Sequence, residues 1–451
     1  MSRQPDLRKD SPWKLMRKLS LPGILGMMVL SINSLVDSVY LGNLVSAEGF
    51  AGVSLLFPIT LIVSSATGFI AAGSSSVLSR AIGAANKSIQ RKVIPNLLAL
   101  SLISSVIMTL LGLLLADEAV SFMGAEGAVY QAGVEYLKVY AFGVVFSIYG
   151  LAANGLIRSE GRIRQAMTYT VTAVVINIIF TPIFIDLLGL GIAGAAWSSI
   201  ASMLVYCVLT TLYFIRGKAS FETGAFAIRI EKDIIRDVAS VGFSALTMQL
   251  SNVLRQFIAF RSITWYGSAH DLVVFSAIFR LFSFVAVPSM GLLRPLQPVV
   301  GVNFGAFELK RCIQAVKTFR LAGISLMCLL LLPLMLFPGT FIGFMIPDAP
   351  VTNEELNYLR FVLVALPFLP VSTSAMIFFQ AIGEGKKATL LSLGRQLILF
   401  IPLILLIPYF KGIDGIYQAL VIENISVAAS LWLLLALKMQ KFQQGAPLPS
   451  S

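Results

Sequence analysis

Charge is scarce in this chain of 451 residues: only 12% are Asp, Glu, Lys or Arg, about half the share of a soluble domain. Histidine is nearly absent, and a single His270 excludes a metal site built on several imidazoles. The three cysteines, Cys207, Cys312 and Cys328, show neither paired nor metal-ligand spacing. No GxxxxGK[ST] run is present, which argues against nucleotide hydrolysis, and there is no GxSxG or HExxH. Without those constellations an enzyme is not expected, nor any cofactor. The segment before Leu19 is polar and basic, and the apolar run after it outlasts a signal sequence, so no cleavable signal peptide is expected.

What the chain has in abundance is apolar length. Hydrophobic residues make up 57% of it, and the mean hydropathy is +0.86. A membrane span needs roughly 20 apolar residues, and the sequence supplies about twelve such runs. It reads as an all-α membrane protein surrounded by lipid. The net charge of +12 is then a topology signal rather than a nucleic-acid signal. Alternate loops carry the bases, among them Arg80, Lys87, Arg91 and Lys92, then Arg158, Arg162 and Arg164, then Lys386 and Lys387. The intervening loops are short or acidic, with Asp117, Glu118, Glu354 and Glu355. Both termini are therefore expected on the cytoplasmic side of a cytoplasmic membrane.

The two halves repeat at a constant offset. Ala47–Ser54 aligns with Ala269–Ser276, Ser79–Ala84 with Gly301–Ala306, Tyr136 with Tyr358, and Gly161 with Gly383. After one deletion Gly191–Gly194 meets Gly412–Gly415. The expected organisation is a cytoplasmic segment 1–18, an N-lobe of six helices over 19–215, a linker over 216–237, a C-lobe of six helices over 238–437 and a tail over 438–451. An even number of spans per half gives both copies the same orientation, and their interface is where a substrate is expected. The linker is expected to hold a short amphipathic surface helix through Ile230, Ile234, Ile235 and Val238. Gly68, Gly73 and the Ser74–Ser76 run read as close helix packing.

Polar residues inside the spans are the candidate sites. Asn33, Asp37 and Tyr40 recur at i, i+4 and i+7 of the first span, on one helix face. A carboxylate at mid-membrane costs roughly 2.5–3.5 kcal/mol on insertion scales, so such a face turns inward, as a helix–helix contact or as a cation or proton site. The second half carries Gln249, Asn252, Arg255 and Gln256 on one span, Arg294 and Gln297 around two prolines, Arg395 on another span, and Glu423 beside Asn424 on the last. Two readings stand for these groups. Either Glu423 pairs with Arg255 or Arg395 in an internal network, or free guanidinium groups face a cavity and hold a carboxylate or phosphate. Deep arginines are expected to point inward in both cases.

LVDSVYLG at Leu35–Gly42, SRAIGA at Ser79–Ala84, RSEG at Arg158–Gly161, NIIFTPIF at Asn177–Phe184, GIAGAAWS at Gly191–Ser198 and QPVVGVNFGA at Gln297–Ala306 together resemble the multidrug and toxic compound extrusion (MATE) family. The resemblance runs from about Leu19 to about Leu437. It implies a V-shaped transporter of two six-helix bundles that exports amphipathic organic compounds by alternating access in exchange for Na⁺ or H⁺. It places the coupling acid at Asp37 and its fifth-helix partner at Asn177. Four residues later the family pattern has an Asp where this chain has Thr181, and a sixth-helix hydroxyl, Ser198 or Ser199, completes the set. One carboxylate among Asn33, Asn177, Thr181 and Ser198 suits either Na⁺ or a single proton, with a lean to the proton. Tyr40, Gln249, Asn252, Arg255, Arg294, Gln297, Arg395 and Glu423 are then the candidate substrate contacts. Nothing requires more than a monomer. Two rivals are an exporter of an organic anion and a flippase for a lipid-linked oligosaccharide. A membrane enzyme or receptor is set aside by the missing motifs and the duplication.

Overall fold

A computed structural model describes residues 5–346 and 351–443. Among them the regular structure is all helix, without a strand. Ten helices or helix runs are long and apolar enough to cross a membrane. Six lie in the first half: α1 Pro12–Leu44, α2 Glu48–Gly83, α3 Lys87–Leu114, α4 Gly127–Ser159, α5 Ile163–Leu187 and α6 Gly191–Ile215. The next helix, α7 Lys232–Tyr266, carries too many polar groups to join that count by hydropathy. Then come α8 His270–Gly305, α9 Leu309–Leu336 and α10 Asn353–Ala381. The last run, Gly385–Gln443, folds back at Gly412 (φ 58°, ψ −134°), a backbone region reserved for glycine, and so supplies α11 (385–411) and α12 (413–443). With α7 added and the last run divided, the expected twelve helices are present.

Prolines fall where helices break. Pro58 opens the second part of α2 after Leu56, Pro182 leads into a π-turn over Ile183–Leu187, and Pro295 divides α8. Each removes a backbone donor and crowds the preceding turn. Pro22 and Pro288 stay inside continuous helices. Two helix starts are fixed by reciprocal caps, Ser268 with Asp271 and Thr352 with Glu355.

The duplication is written into the backbone. Ala85 (φ 53°) and Phe307 (φ 60°) are the two non-glycine residues with positive φ among those described, and they hold equivalent positions in the two repeats. Each sits in a helix-ending turn closed by the same bond, Asn86 N–H to Ala81 O at 3.0 Å and Glu308 N–H to Asn303 O at 2.8 Å. Gly161 and Gly383 match likewise, at φ 84° and 83°.

The chain divides into two compact units, residues 25–246, and residues 1–24 together with 247–451. The breaks follow Ile24 in α1 and Leu246 in α7, which are again equivalent positions of the repeat. In the first unit α4 is the central helix, packed by α2, α3 and α6, and is the most enclosed of the spans. Its counterpart α10 takes that place in the second unit, against α8, α9 and α12. Gly73 makes the expected close approach: a methyl there would stand 2.3 Å from Val238 O, and Ser74, Ser75 and Ser76 are buried. Gly68 meets nothing within 4 Å.

The linker differs from expectation. Gly217–Glu231 has no regular helix, and Ile234, Ile235 and Val238 stand in the first turns of α7, with Ile234 and Val238 buried. The segment is instead laced to the start of α3. Glu231 N–H donates to Asn96 Oδ1 at 2.8 Å, Glu222 N–H to Gln90 Oε1 at 3.1 Å, and Lys87 and Arg91 pair with Glu222 at 3.2 and 3.3 Å. Arg80 grips Asp237 through two 2.9 Å bonds. Backbone donors satisfied this way have no need of a helix. In the other unit the N-terminal segment docks similarly: Asn303 Nδ2 donates to Leu7 O at 2.9 Å, and Arg311 Nη2 to Asp10 O at 2.6 Å.

Candidate functional site

The polar face of α1 is real and turned inward. Ile32, Leu35 and Val39 are more than half exposed, while Asn33, Asp37 and Tyr40 between them are half-buried. Asn33 Nδ2 donates to Asp37 Oδ2 at 2.9 Å. On the neighbouring helices of the same unit, Thr181 donates to Asn177 O at 2.8 Å and its hydroxyl lies 3.0 Å from that of Ser198. Asn177, Thr181 and Ser198 are almost fully buried. Thr170 lies on the same face of α5, bonded to Ala166 O at 3.2 Å. Ser199 donates to Ala195 O at 3.1 Å.

Two acceptors among these residues stand bare. Among the described residues no donor reaches Asn33 Oδ1 or Asn177 Oδ1, although both are buried. A buried acceptor without a donor costs about 1–3 kcal/mol. Asp37 and Asn33 on α1 offer a carboxylate and an amide oxygen, and Asn177, Thr181 and Ser198 on α5 and α6 offer an amide oxygen and two hydroxyls, all hard oxygen. That chemistry suits a small hard cation or a proton. Tyr40 shares the face, farther along α1.

Tyr136 also lies near Asp37. Read only as part of the repeat, it lies within electrostatic reach of that carboxylate and beside Ser199, and its ring stacks on Tyr140 at 5.8 Å. A tyrosine pair at i, i+4 on the central helix α4 was the available signal.

The second unit holds a separate polar core. Glu423, with no exposed surface, accepts from Arg395 Nε at 2.6 Å and from Arg255 Nη1 at 3.4 Å. Arg395 opens a π-turn (Arg395–Phe400) that brings it to α12, where its Nη2 is also 3.5 Å from Asn424 Oδ1. The internal network foreseen for Glu423 therefore exists and includes both arginines. Asn252 and Arg255 line a cavity with Phe275 and Asn424, and Gln249 lies half-buried on the same helix. Arg294 does not join them. It is exposed at the break inside α8, where one helical stretch ends at Leu293 and the next begins at Leu296. Gln297 is half-buried in the turn beyond.

Outside the spans, Glu160 binds the linker. Its carboxylate accepts from Ser220 N–H and Oγ, both at 2.5 Å, and from the Tyr213 hydroxyl. Burial pushes its pKa above the usual carboxylate value despite those donors.

Comparison with known proteins agrees with this architecture. The MatE family matches the chain twice, over residues 22–183 and 244–406, and the two matches begin at equivalent positions of the repeat. An FAD transporter of Shewanella oneidensis is 26% identical over 93% of this chain and 94% of its own length. The multidrug export protein MepA of Staphylococcus saprophyticus is 23% identical over 95% of each. A MATE protein crystallised in a bent conformation superposes with a TM-score of 0.92 at 25% identity, covering 98% of this chain and 99% of that one. The chain belongs to the MatE family: it is a multi-pass membrane transporter and not an enzyme.

Proposed function

We propose that this transporter is a secondary active exporter of amphipathic organic compounds, working by alternating access and driven by exchange for H⁺ or Na⁺ at Asp37. The observation that carries the reading is the half-buried carboxylate of Asp37, bonded to Asn33, in the same unit as the buried Asn177, Thr181 and Ser198, with the amide oxygens of Asn33 and Asn177 left bare. A cation bound there drives transport only if its affinity differs between the two states of the carrier. Filling the bare acceptors supplies such a difference, since any rearrangement of α1 against α5 changes how many oxygens the cation meets. The relationship to a multidrug export protein over nearly the whole chain supports export of organic compounds. The carrier is a monomer in the cytoplasmic membrane, with both termini inside and no cofactor beyond the coupling ion.

A second reading, export of an organic anion, is favoured by two guanidinium groups sharing one carboxylate, and by a relative that transports FAD.

Purified protein in liposomes tests the proposal. Ethidium flux should follow an imposed Na⁺ or H⁺ gradient, each applied alone, and stop when the gradient collapses. Flux that ignores both gradients contradicts the coupling. No movement of ethidium or fluorescein under either gradient contradicts the exporter.

A further inference from the structure

The cavity of the second unit has a charged end and an aromatic wall. Asn252, Arg255 and Gln256 on α7 and Asn424 on α12 make the polar end. Phe275, Phe279 and Phe282 on α8 make the wall, with the first two rings stacked at 6.2 Å. A core of about 40 Å³ is open to water-sized molecules, within about 550 Å³ of unfilled space counted out to the mouth. At roughly 10–15 Å³ per water, that core takes the oxygens of one carboxylate, sulfonate or phosphate group.

Charge decides what belongs there. Arg395 and Arg255 share Glu423, which leaves one positive charge in excess in the core of the unit. An excess buried charge is costly unless a counter-ion meets it. The two arginines are not equivalent. Arg395 is held at 2.6 Å and does not line the cavity, whereas Arg255 stands 3.4 Å from the same carboxylate and does. Its remaining N–H groups form a planar fork suited to two oxygens of an anion. A cation in the same place would meet like charge, with the one carboxylate buried behind the guanidiniums.

We infer that this cavity is a subsite for the anionic group of an aromatic compound, with Arg255 gripping the anion, Phe275, Phe279 and Phe282 seating the ring, and Arg395 positioning Glu423 behind Arg255. The inference rests on the transporter reading above and adds aromatic anions to the compounds that carrier takes.

Calorimetric titration in nanodiscs of phosphatidylcholine alone, where no anionic headgroup competes, tests it with a matched pair of probes: naphthalenesulfonate and its neutral analogue naphthalenesulfonamide. Protein-free nanodiscs titrated with each probe supply the blank for partition into lipid. Wild type should bind the sulfonate about tenfold or more tightly than the sulfonamide, the scale of a charged hydrogen bond. Arg255→Gln should erase that preference, Arg255→Lys should restore part of it, and Phe279→Ala should weaken both probes alike. Equal binding of the probes by wild type, no binding of either, or a preference that survives Arg255→Gln overturns the subsite. The wild-type comparison holds even where a variant fails to fold. Ethidium flux in the same Arg255→Gln protein separates the two claims. If gradient-driven flux persists without any anion preference in wild type, the subsite is wrong and the exporter stands.

Discussion

Arg395 makes a short contact at 2.6 Å with the fully buried Glu423, while Arg255 approaches the same carboxylate only to 3.4 Å. Removing one partner of a buried pair leaves the other uncompensated, at about 3–5 kcal/mol. Glu423→Gln strands two guanidiniums and should lower thermal stability by that order. Arg255→Gln should cost clearly less, because its contact is long and its side chain is one-fifth exposed. Thermal unfolding of the two variants in detergent checks the ranking, and equal losses would contradict it.

The repeated glycines at helix crossings should not tolerate a methyl. A Cβ at Gly194 would lie 2.5 Å from Phe184 O, and one at its repeat partner Gly415 2.6 Å from Ile407 O, both backbone atoms that cannot step aside. Each alanine should cost about 1–3 kcal/mol. Gly68→Ala meets nothing within 4 Å and should be neutral or stabilising by up to about 1 kcal/mol, from helix propensity. A thermal-shift assay on the three variants gives the comparison.

The linker should loosen with acid through Glu222. Hydrogen bonds from Lys87 and Arg91 hold its carboxyl below the usual range. Its contribution is therefore present above the ordinary carboxylate pKa and lost as pH falls through the lowered value. Glu160 has the opposite sign: burial raises its pKa, so its contribution is present at low pH and lost as pH rises through the raised value. Hydrogen exchange over Gly217–Glu231 should be faster in Glu222→Gln than in wild type at neutral pH, with the gap closing on acidification. Identical exchange at neutral pH would remove Glu222 from the account.

Thr181 connects Asn177 to Ser198. Thr181→Val should slow gradient-driven efflux several-fold while changing stability by only about 1 kcal/mol, the worth of a neutral hydrogen bond. Flux and unfolding measured on one preparation separate these effects, and unchanged flux would make Thr181 purely structural.

The fold was legible because the duplication leaves its mark on local sequence. The constant offset that aligns SRAIGA with GVNFGA returns as paired positive-φ residues at Ala85 and Phe307. The inward face of α1 was equally legible from the spacing of Asn33, Asp37 and Tyr40. What could not be read were contacts made across the chain. Asn303 in the second motif holds Leu7, at the far end of the sequence, and nothing in GVNFGA announces that. Tyr136 reaches Asp37 only through the packing of α4 in its bundle. Hydropathy also runs straight through the break that Pro295 makes beside Arg294 in α8.

The most direct test of the central claim is ethidium efflux from proteoliposomes carrying wild type or Asp37→Asn, with Na⁺ and H⁺ gradients imposed separately. Asparagine keeps the size and can still accept from Asn33, but it carries neither charge nor an exchangeable acid proton. Gradient-driven flux should be lost in the variant while ethidium binding and thermal stability remain. Undiminished gradient-driven flux through Asp37→Asn would contradict the account.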